Sequence, residues 1–311
     1  MTGIVNALSV DVEDYFQVSA FSDVVAYEAW EGFERRVETN TRRLLELFDR
    51  AGVKATFFVL GWIAERHPAL VRDLHACGHE VASHGYAHRM LDGMSRREFR
   101  EEIRQQKALL ETLIQAPVIG YRAPSFSITT RTLWALEVLA EEGFVYDSSI
   151  FPVHHDRYGI PSAPRFPYDV RYGGLTLREF PMSTLSWRRG MNIPFGGGGY
   201  LRVFPLWVTD RGIRHLNRTG HPAMVYVHPW EIDPDQPRLN GPWLSRFRHY
   251  RNLDVTYRRL EALLDRYAWD SIRNVLDLGR PPVSEHRVHP GDPSDSLAEL
   301  QGARCQPAER P

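Results

Sequence analysis

Three carboxylates fall within four positions near the start of the chain, in the stretch SVDVEDYF from Ser9 to Phe16. Asp11, Glu13 and Asp14 follow a run of apolar residues that predicts a buried strand. Like charges this close repel one another unless a cation lies between them. The cluster therefore predicts either a solvated strand end or one side of a cation site.

Two histidines further along the chain are of the type that such a cation site would need. His84 and His88 lie in SHGYAH, and their spacing can place two imidazoles on one face of a turn, where both reach a metal. Gly85 makes a tight turn easier. Surface loops also contain histidine pairs at this spacing, so the pair alone leaves both readings open. A divalent ion would remove the repulsion within the acidic cluster.

Polar residues recur at the end of each predicted strand. Strand-like and helix-like segments alternate along the chain, which predicts parallel βαβ units. Six or seven such units favour one barrel-like α/β domain, with a doubly wound open sheet as the competing architecture. In both, the carboxyl ends of the strands meet at one edge of the sheet. The polar segments at these ends are SVDVED, SHGYAH, YRAPSF, YDSS and VYVHPWE.

Local signals predict several helix boundaries. Ser95 and Glu98 have the spacing of a capping box at the start of a helix. Residues 243–268 predict one long helix that closes the folded part of the chain.

From Gly279 onward the sequence is rich in proline and poor in aliphatic residues, so it cannot bury enough surface to fold alone.

Composition narrows the classes of function. The 311 residues are 43% hydrophobic and 25% charged, as in ordinary globular proteins. Basic and acidic side chains number 38 and 39, so net charge gives no support for binding nucleic acid. Two cysteines are too few for a zinc site built from thiolates. No signal-peptide pattern or apolar stretch of ~20 residues is present, so we expect a cytoplasmic protein without a membrane span, at most peripheral to the inner membrane.

The order of the motifs resembles the polysaccharide deacetylase family, that is, the NodB-homology or carbohydrate esterase family 4 enzymes. SVDVED stands where the family has Thr-Phe-Asp-Asp, and SHGYAH fits its His-Ser/Thr-x-x-His motif. YRAPSF, YDSS and VYVHPWE resemble the three later motifs. DVEDYFQVSAF and IPFGGGGYLR are also similar to a subgroup found with bacterial exopolysaccharide loci of the exosortase (XrtA/PEP-CTERM) type.

The resemblance implies a distorted (β/α)7–8 barrel of the NodB type. It implies a single catalytic domain over residues 1–278, followed by a disordered tail over 279–311. It also implies a divalent metal, most often zinc, bound by His84, His88 and an N-terminal carboxylate.

The third ligand is open, because Val12 separates Asp11 from the next carboxylate where the family has two adjacent aspartates. The side-chain type favours Asp14, which is our first choice. Strand periodicity favours Glu13, since residues two apart on a strand face the same way.

The same resemblance implies the catalytic roles. Asp11 is the expected general base for a water molecule, and Arg122 is expected to orient it. His228 is the expected general acid, with Asp147 as its orienting partner. A backbone N–H near Ser125 is expected to polarise the substrate carbonyl. The expected substrate-binding residues are Pro124, Ser125, Phe126, Tyr200, Trp230 and Glu231.

These roles predict a zinc-dependent hydrolase that removes N-acetyl groups from amino sugars of a bacterial exopolysaccharide, a cell-wall polysaccharide or a lipid-linked precursor. The expected partner is an N-acetylated oligo- or polysaccharide. One alternative is a hydrolase of a non-sugar amide, as in allantoinase-like relatives. A non-catalytic carbohydrate-binding barrel is a second alternative, which the presence of Asp11, His84, His88 and His228 disfavours.

Overall fold

A mostly parallel β-sheet runs through the protein, whose computed structural model describes residues 3–186 and 191–278. The predicted tail over 279–311 lies outside the described residues. The strands, in chain order, are β1 (Val5–Val12), β2 (Thr56–Val59), β3 (Glu80–Ser83), β4 (Gly120–Tyr121), β5 (Tyr146–Asp147), β6 (Tyr168–Tyr172), β7 (Leu175–Glu179), β8 (Thr184–Ser186), β9 (Asn192–Pro194), β10 (Met224–Val227) and β11 (Ala268–Asp270).

Helices alternate with these strands over most of the chain. They are α1 (Val37–Ala51), α2 (Gly61–Arg66), α3 (Pro68–Ala76), α4 (Arg96–Ile114), α5 (Trp134–Glu141), α6 (Gly198–Val203), α7 (Leu206–Arg218), α8 (Trp243–Tyr250), α9 (Leu253–Leu264) and α10 (Ile272–Val275). Within the described ranges, none of the helices combines the length and apolar character needed to span a bilayer.

The main sheet has the strand order β10-β1-β2-β3-β4-β5-β7-β6, and β11 pairs with β1. The neighbouring strands from β10 to β7 are parallel, whereas β6 is antiparallel to β7. This is the distorted α/β barrel that the motifs predicted. Because the strands are parallel, their carboxyl ends lie at the same edge of the sheet.

Successive side chains of β1 point alternately to the side of the sheet that faces the helices and to its inner side. Leu8, Val10 and Val12 pack into the large apolar cluster that includes helix residues, whereas Ala7 belongs to a second cluster with residues of β2, β5 and β10. Asp11 has the same parity as Ala7 and therefore projects to the inner side. The strand pattern thus fixes which side chains can enter the site.

A run of glycines extends the sheet beyond β10. Gly197 forms a parallel bridge with Tyr226, and the Tyr226 N–H donates to the carbonyl of Gly196 over 2.9 Å. A Cβ at position 197 would lie 2.1 Å from the Tyr226 carbonyl oxygen. Only glycine can therefore bring this backbone so close to β10. The run has a structural role in closing the barrel.

The closing helix predicted over residues 243–268 is two helices, so that prediction is wrong. The chain breaks at Asn252, whose φ of 57° is left-handed. The Arg202 guanidinium accounts for the break, because it donates to the carbonyls of Arg248 and His249 over 2.7 Å each. Those carbonyls are then satisfied without a continuous helix.

The capping box predicted at Ser95 is confirmed at the start of α4. We expect Ser95→Ala to lower the free energy of unfolding by about 1 kcal/mol, because the Glu98 N–H loses its acceptor. Arg97→Ala is the matched control, since this side chain in the same turn is 81% exposed and should change stability by less than ~0.5 kcal/mol. Denaturant unfolding of both variants measures the difference, and equal losses would contradict the capping role.

Candidate active site

The carboxyl edge of the sheet brings together side chains from four distant parts of the chain. Asp11 lies at the end of β1, while His84, Arg122 and His228 directly follow β3, β4 and β10. Asp11, His84 and His228 line a cavity of about 480 Å³, a volume within the usual range of ligand pockets, and the buried Arg122 lies behind Asp11. The acidic and histidine side chains that line this cavity include Asp11, Glu13, His84, His88, His228 and Glu231.

Glu13, His84 and His88 are a group that could hold a metal ion. One ligand atom from each of the three buried residues lies within 4.8 Å of the others. The Nε2 atom of His88 is 2.8 Å from Glu13 Oε2. The structure thus brings the two predicted histidines together with one of the two candidate carboxylates.

Supporting contacts fix the orientation of both imidazoles. His84 Nδ1 is 2.8 Å from the Arg122 carbonyl oxygen, which leaves Nε2 available to the site. His88 Nδ1 is 3.3 Å from Ser19 Oγ, and that hydroxyl is 2.6 Å from Ser125 Oγ. Metal-binding histidines are typically held in this way through their second nitrogen. The role of Ser19, at the start of a single 3-10 turn over Ser19–Phe21, could not be predicted from the sequence.

Asp14, our first choice for the third ligand, points away from the histidines. Its carboxylate accepts hydrogen bonds from the backbone N–H groups of Arg36 at 2.7 Å and Val37 at 2.9 Å, at the start of α1. The Tyr15 N–H also donates to it. The strand ends at Val12, so the carboxylate turns toward the helix N-terminus, where negative charge is favourable.

The group formed by Glu13, His84 and His88 has the chemistry of a metal site. Glu13 is 1% exposed, and apart from the 2.8 Å contact with His88 Nε2 its Oε2 atom has no hydrogen-bond partner among the described residues. Burial alone would raise the Glu13 pKa, but the charges of His88 and His228 hold that pKa well below its usual range. Burial lowers the pKa of His84 to about 4, so this imidazole is neutral at pH 7. One carboxylate and two imidazoles are ligand types that fit a divalent ion such as zinc.

Asp11 and Arg122 form a buried ion pair beside this group. Arg122 Nη1 donates to Asp11 Oδ1 over 2.6 Å and to Ser9 Oγ over 2.8 Å. The guanidinium also donates to the Ser148 carbonyl and lies 4.1 Å from the ring centre of Phe58. Because Arg122 is fully buried, its charge depends on Asp11 for compensation. The pairing inferred from the motifs is the pairing found here.

His228 is oriented by Glu231, not by Asp147. The Nδ1 atom of His228 is 3.2 Å from Glu231 Oε2, and its Nε2 is 3.4 Å from Glu13 Oε1 and 3.9 Å from Asp11 Oδ2. Burial alone would lower the His228 pKa, but the carboxylates of Glu231 and Glu13 raise it to about 9. His228 can therefore carry a proton at neutral pH.

Asp147 instead supports the loop that follows β4. Its carboxylate accepts a 2.6 Å hydrogen bond from Ser149 Oγ, and Ser149 Oγ in turn accepts from the Ala123 N–H at 2.8 Å. Burial raises the pKa of Asp147, which shares a hydrogen bond with the buried Glu179. The assignment of Asp147 to His228 is wrong because the sheet order puts β5 next to β4 and β7.

Arg202 completes the acid side of the site and was not predicted. Its Nε donates to Glu231 Oε1 over 2.7 Å, and the guanidinium lies 4.9 Å from the ring centre of Trp230. Burial would raise the Glu231 pKa, but Arg202 and His228 lower it to about 2. Arg202 ends the IPFGGGGYLR segment, yet nothing in that segment predicts which carboxylate it meets.

The predicted substrate-binding residues divide into two sets. Ser125, Phe126 and Tyr200 line the cavity, and the Tyr200 hydroxyl is 3.0 Å from that of Tyr158. Trp230 and Glu231 also line the cavity, but they are only 3% and 0% exposed and are held by other side chains of the site.

Trp230 in particular is unsuited to stacking on a sugar. Its indole packs on the rings of His228 and His249, and its Nε1 donates to Glu13 Oε1 over 3.2 Å.

Pro124 lies in the turn before Ser125, whose φ of 51° is left-handed. The expected contact of the Ser125 N–H with a substrate carbonyl stays a prediction.

Fold and site together define an α/β-barrel protein with a carboxylate and two imidazoles beside an acid–base pair. Residues 28–143 match the polysaccharide deacetylase family, and residues 148–277 match a domain of unknown function, DUF3473. The first match confirms the resemblance to the polysaccharide deacetylase family that the motifs predicted. The second matched segment contributes β7 and β10 to the same sheet and His228 to the site.

Curated relatives match parts of the chain. A peptidoglycan deacetylase-like protein of Gibberella zeae is 32% identical over 41% of this chain and 37% of its own length. A peptidoglycan deacetylase of Helicobacter pylori is 30% identical, covering 44% and 42%. A chitooligosaccharide deacetylase of Sinorhizobium fredii is 36% identical, covering 27% and 40%. The chain thus spans well under half the length of these relatives.

Solved structures share the fold. A candidate polysaccharide deacetylase from Mycobacterium smegmatis has a TM-score of 0.55 at 22% identity, covering 89% of this chain and 91% of that one. A second candidate, from Pseudomonas aeruginosa PAO1, has a TM-score of 0.50 at 20% identity, covering 76% and 71%.

The positions of Glu13 and Asp14 predict opposite results in a metal titration. Substitution of a residue that only supports a metal ligand typically weakens metal affinity roughly 10–100-fold. Glu13 is placed as a ligand itself, so we expect Glu13→Gln to weaken zinc binding by at least that much. Asp14→Asn keeps an oxygen for the α1 N-terminus and should change affinity by less than tenfold. Competition with a chromophoric chelator measures both, and the reverse order would return the ligand role to Asp14.

The contact between Glu231 and His228 predicts a change in titration. A nearby carboxylate stabilises the protonated imidazole of His228. Removal of that carboxylate makes the imidazole harder to protonate and moves the midpoint of its titration to lower pH. We expect Glu231→Gln to lower the His228 midpoint by about one pH unit or more. Imidazole NMR on the metal-free protein measures it. Asp147→Asn is the control and should leave that midpoint in place, whereas a larger effect of Asp147→Asn would restore the motif-based pairing.

Proposed function

We propose that this protein is a divalent-metal-dependent hydrolase that removes N-acetyl groups from amino sugars. The observation that carries this proposal is that Asp11 and His228 line the same cavity as the Glu13, His84 and His88 group, with His228 Nε2 3.4 Å from Glu13 Oε1 and 3.9 Å from Asp11 Oδ2. The family match supports the same reaction class.

Asp11 supplies the base. Arg122 holds one carboxylate oxygen over 2.6 Å, which leaves the other facing the cavity to accept a proton from the attacking water. The ion pair holds the Asp11 carboxylate in one orientation.

His228 supplies the acid. Its raised pKa keeps a proton on the imidazole near neutral pH, and Glu231 holds Nδ1 so that Nε2 faces the cavity. As the bond between the acetyl carbon and the sugar nitrogen breaks, His228 donates its proton to that nitrogen. Acetate and a free amine leave.

The metal held by Glu13, His84 and His88 would polarise the acetyl carbonyl and make water more acidic. This matters because an amide is a weak electrophile with a poor leaving group. The base and the acid of the chain then act on opposite ends of the scissile amide.

The curated relatives named above support a saccharide substrate, since their names are peptidoglycan and chitooligosaccharide deacetylases. Within that class we propose an exopolysaccharide, a cell-wall polysaccharide or a lipid-linked precursor. Zinc is the proposed metal because two imidazoles and one carboxylate are ligands that it commonly takes in catalytic sites.

Acetate release tests this function. We expect the zinc-loaded protein to release acetate from N-acetylhexosamine oligomers, and His84→Ala to lose both bound zinc and turnover. His75→Ala is the matched control, because His75 lies on α3 outside the cavity and should leave zinc content and turnover unchanged.

Allantoin is the competing substrate in the same assay. Turnover of allantoin without acetate release from any oligomer would favour hydrolysis of a cyclic amide. Binding of oligosaccharide with no turnover in the zinc-loaded protein would favour a non-catalytic barrel. Either result overturns the proposed reaction.

A further inference from the structure

An unpartnered apolar face lies on α8. Ser245 and His249 turn inward and are buried, while Trp243, Leu244 and Phe247 are 76%, 41% and 46% exposed. Trp243 and Phe247 are one helical turn apart, with ring centres separated by 6.5 Å. Monomeric proteins seldom expose a group of large side chains without a function for it.

The same face is strongly basic. Residues 236–253 include Arg238, Arg246, Arg248 and Arg251, and this stretch contains no acidic residue. All four arginines are exposed. The rest of the chain has an excess of acidic side chains, since the whole protein, with these four arginines included, has a formal charge of -1. The positive charge therefore coincides with the apolar face.

This face borders the mouth of the active-site cavity. Leu244, Phe247 and Arg248 belong to α8 and also line the cavity. The exposed Val203 of α6 lines it as well. Whatever covers the face would lie next to the opening through which substrate reaches His228.

We propose that α8 docks this protein on the surface of an anionic lipid bilayer, with the active-site mouth facing the membrane. Exposed tryptophan, phenylalanine and leucine beside arginines have the chemistry of helices that lie in the bilayer interface. The aromatic side chains enter the headgroup region, and the arginines pair with lipid phosphates. The proposal concerns a partner beyond the proposed reaction, and it places a substrate held at a membrane within reach of the site.

Vesicle sedimentation tests this surface directly. We expect the protein to bind vesicles of phosphatidylcholine mixed with phosphatidylglycerol, to bind phosphatidylcholine alone much more weakly, and to be released by high salt. Trp243→Ser with Phe247→Ser should weaken binding roughly tenfold or more. Arg246→Gln should weaken it roughly fivefold.

Matched controls lie elsewhere on the surface. Leu175→Ser changes a side chain of similar exposure, 43%, on β7, and Arg97→Gln removes a charge from α4. Both should leave vesicle binding within twofold of the unchanged protein. Thermal unfolding midpoints show that each variant is folded.

Three results would overturn the proposal. They are no binding of the unchanged protein to anionic vesicles, equal losses in the controls and the α8 variants, or α8 variants that keep vesicle binding but lose affinity for an N-acetylhexosamine oligomer. The last result would assign the face to saccharide. Because vesicle binding needs no turnover, these outcomes are independent of acetate release.

Discussion

Buried charge is the constraint on which this site depends. Asp11, Glu13 and Glu231 are each at most 2% exposed, and an isolated carboxylate at such depth would be costly. Arg122 compensates Asp11, and Arg202 compensates Glu231. Glu13 has only histidines and an indole N–H near it, which is why it is the carboxylate best suited to a cation.

The two arginines also hold the backbone in place. Arg122 joins the loops after β4 and β5, because it donates to Ser148 while its own carbonyl fixes His84. Arg202 ends α8 through the carbonyls of Arg248 and His249. Each arginine therefore ties a buried carboxylate of the site to the loop next to it, so the same contacts control geometry and charge in the site.

The His228 side of the site could be predicted from the sequence less completely than the Asp11 side. His228, Glu231 and Arg202 all come from the segment that matches a domain of unknown function. They lie against the base and the ligand group only because β10 returns to pair with β1. This pairing places the second matched segment against β1, which precedes the first matched segment, and neither segment alone contains the full set of groups.

Much of the fold and half of the site could be predicted from the sequence. Strand and helix periodicity, the capping box at Ser95, and the motifs around Asp11, His84, His88, Arg122 and His228 are local patterns, and parallel βαβ units must bring strand ends to one edge. These features depend on the order of residues along the chain, which is why they were readable without a structure.

Only the tertiary structure decided which partner each group meets. Asp14 and Glu13 are neighbours in sequence, but the end of β1 and the start of α1 send their carboxylates in opposite directions. His228 meets Glu231 three residues further along the same turn, whereas the strand order leaves Asp147 beside Glu179. A residue type sets which contacts are chemically possible, whereas the packing of distant segments selects among them, because buried polar groups must find partners wherever the fold supplies them.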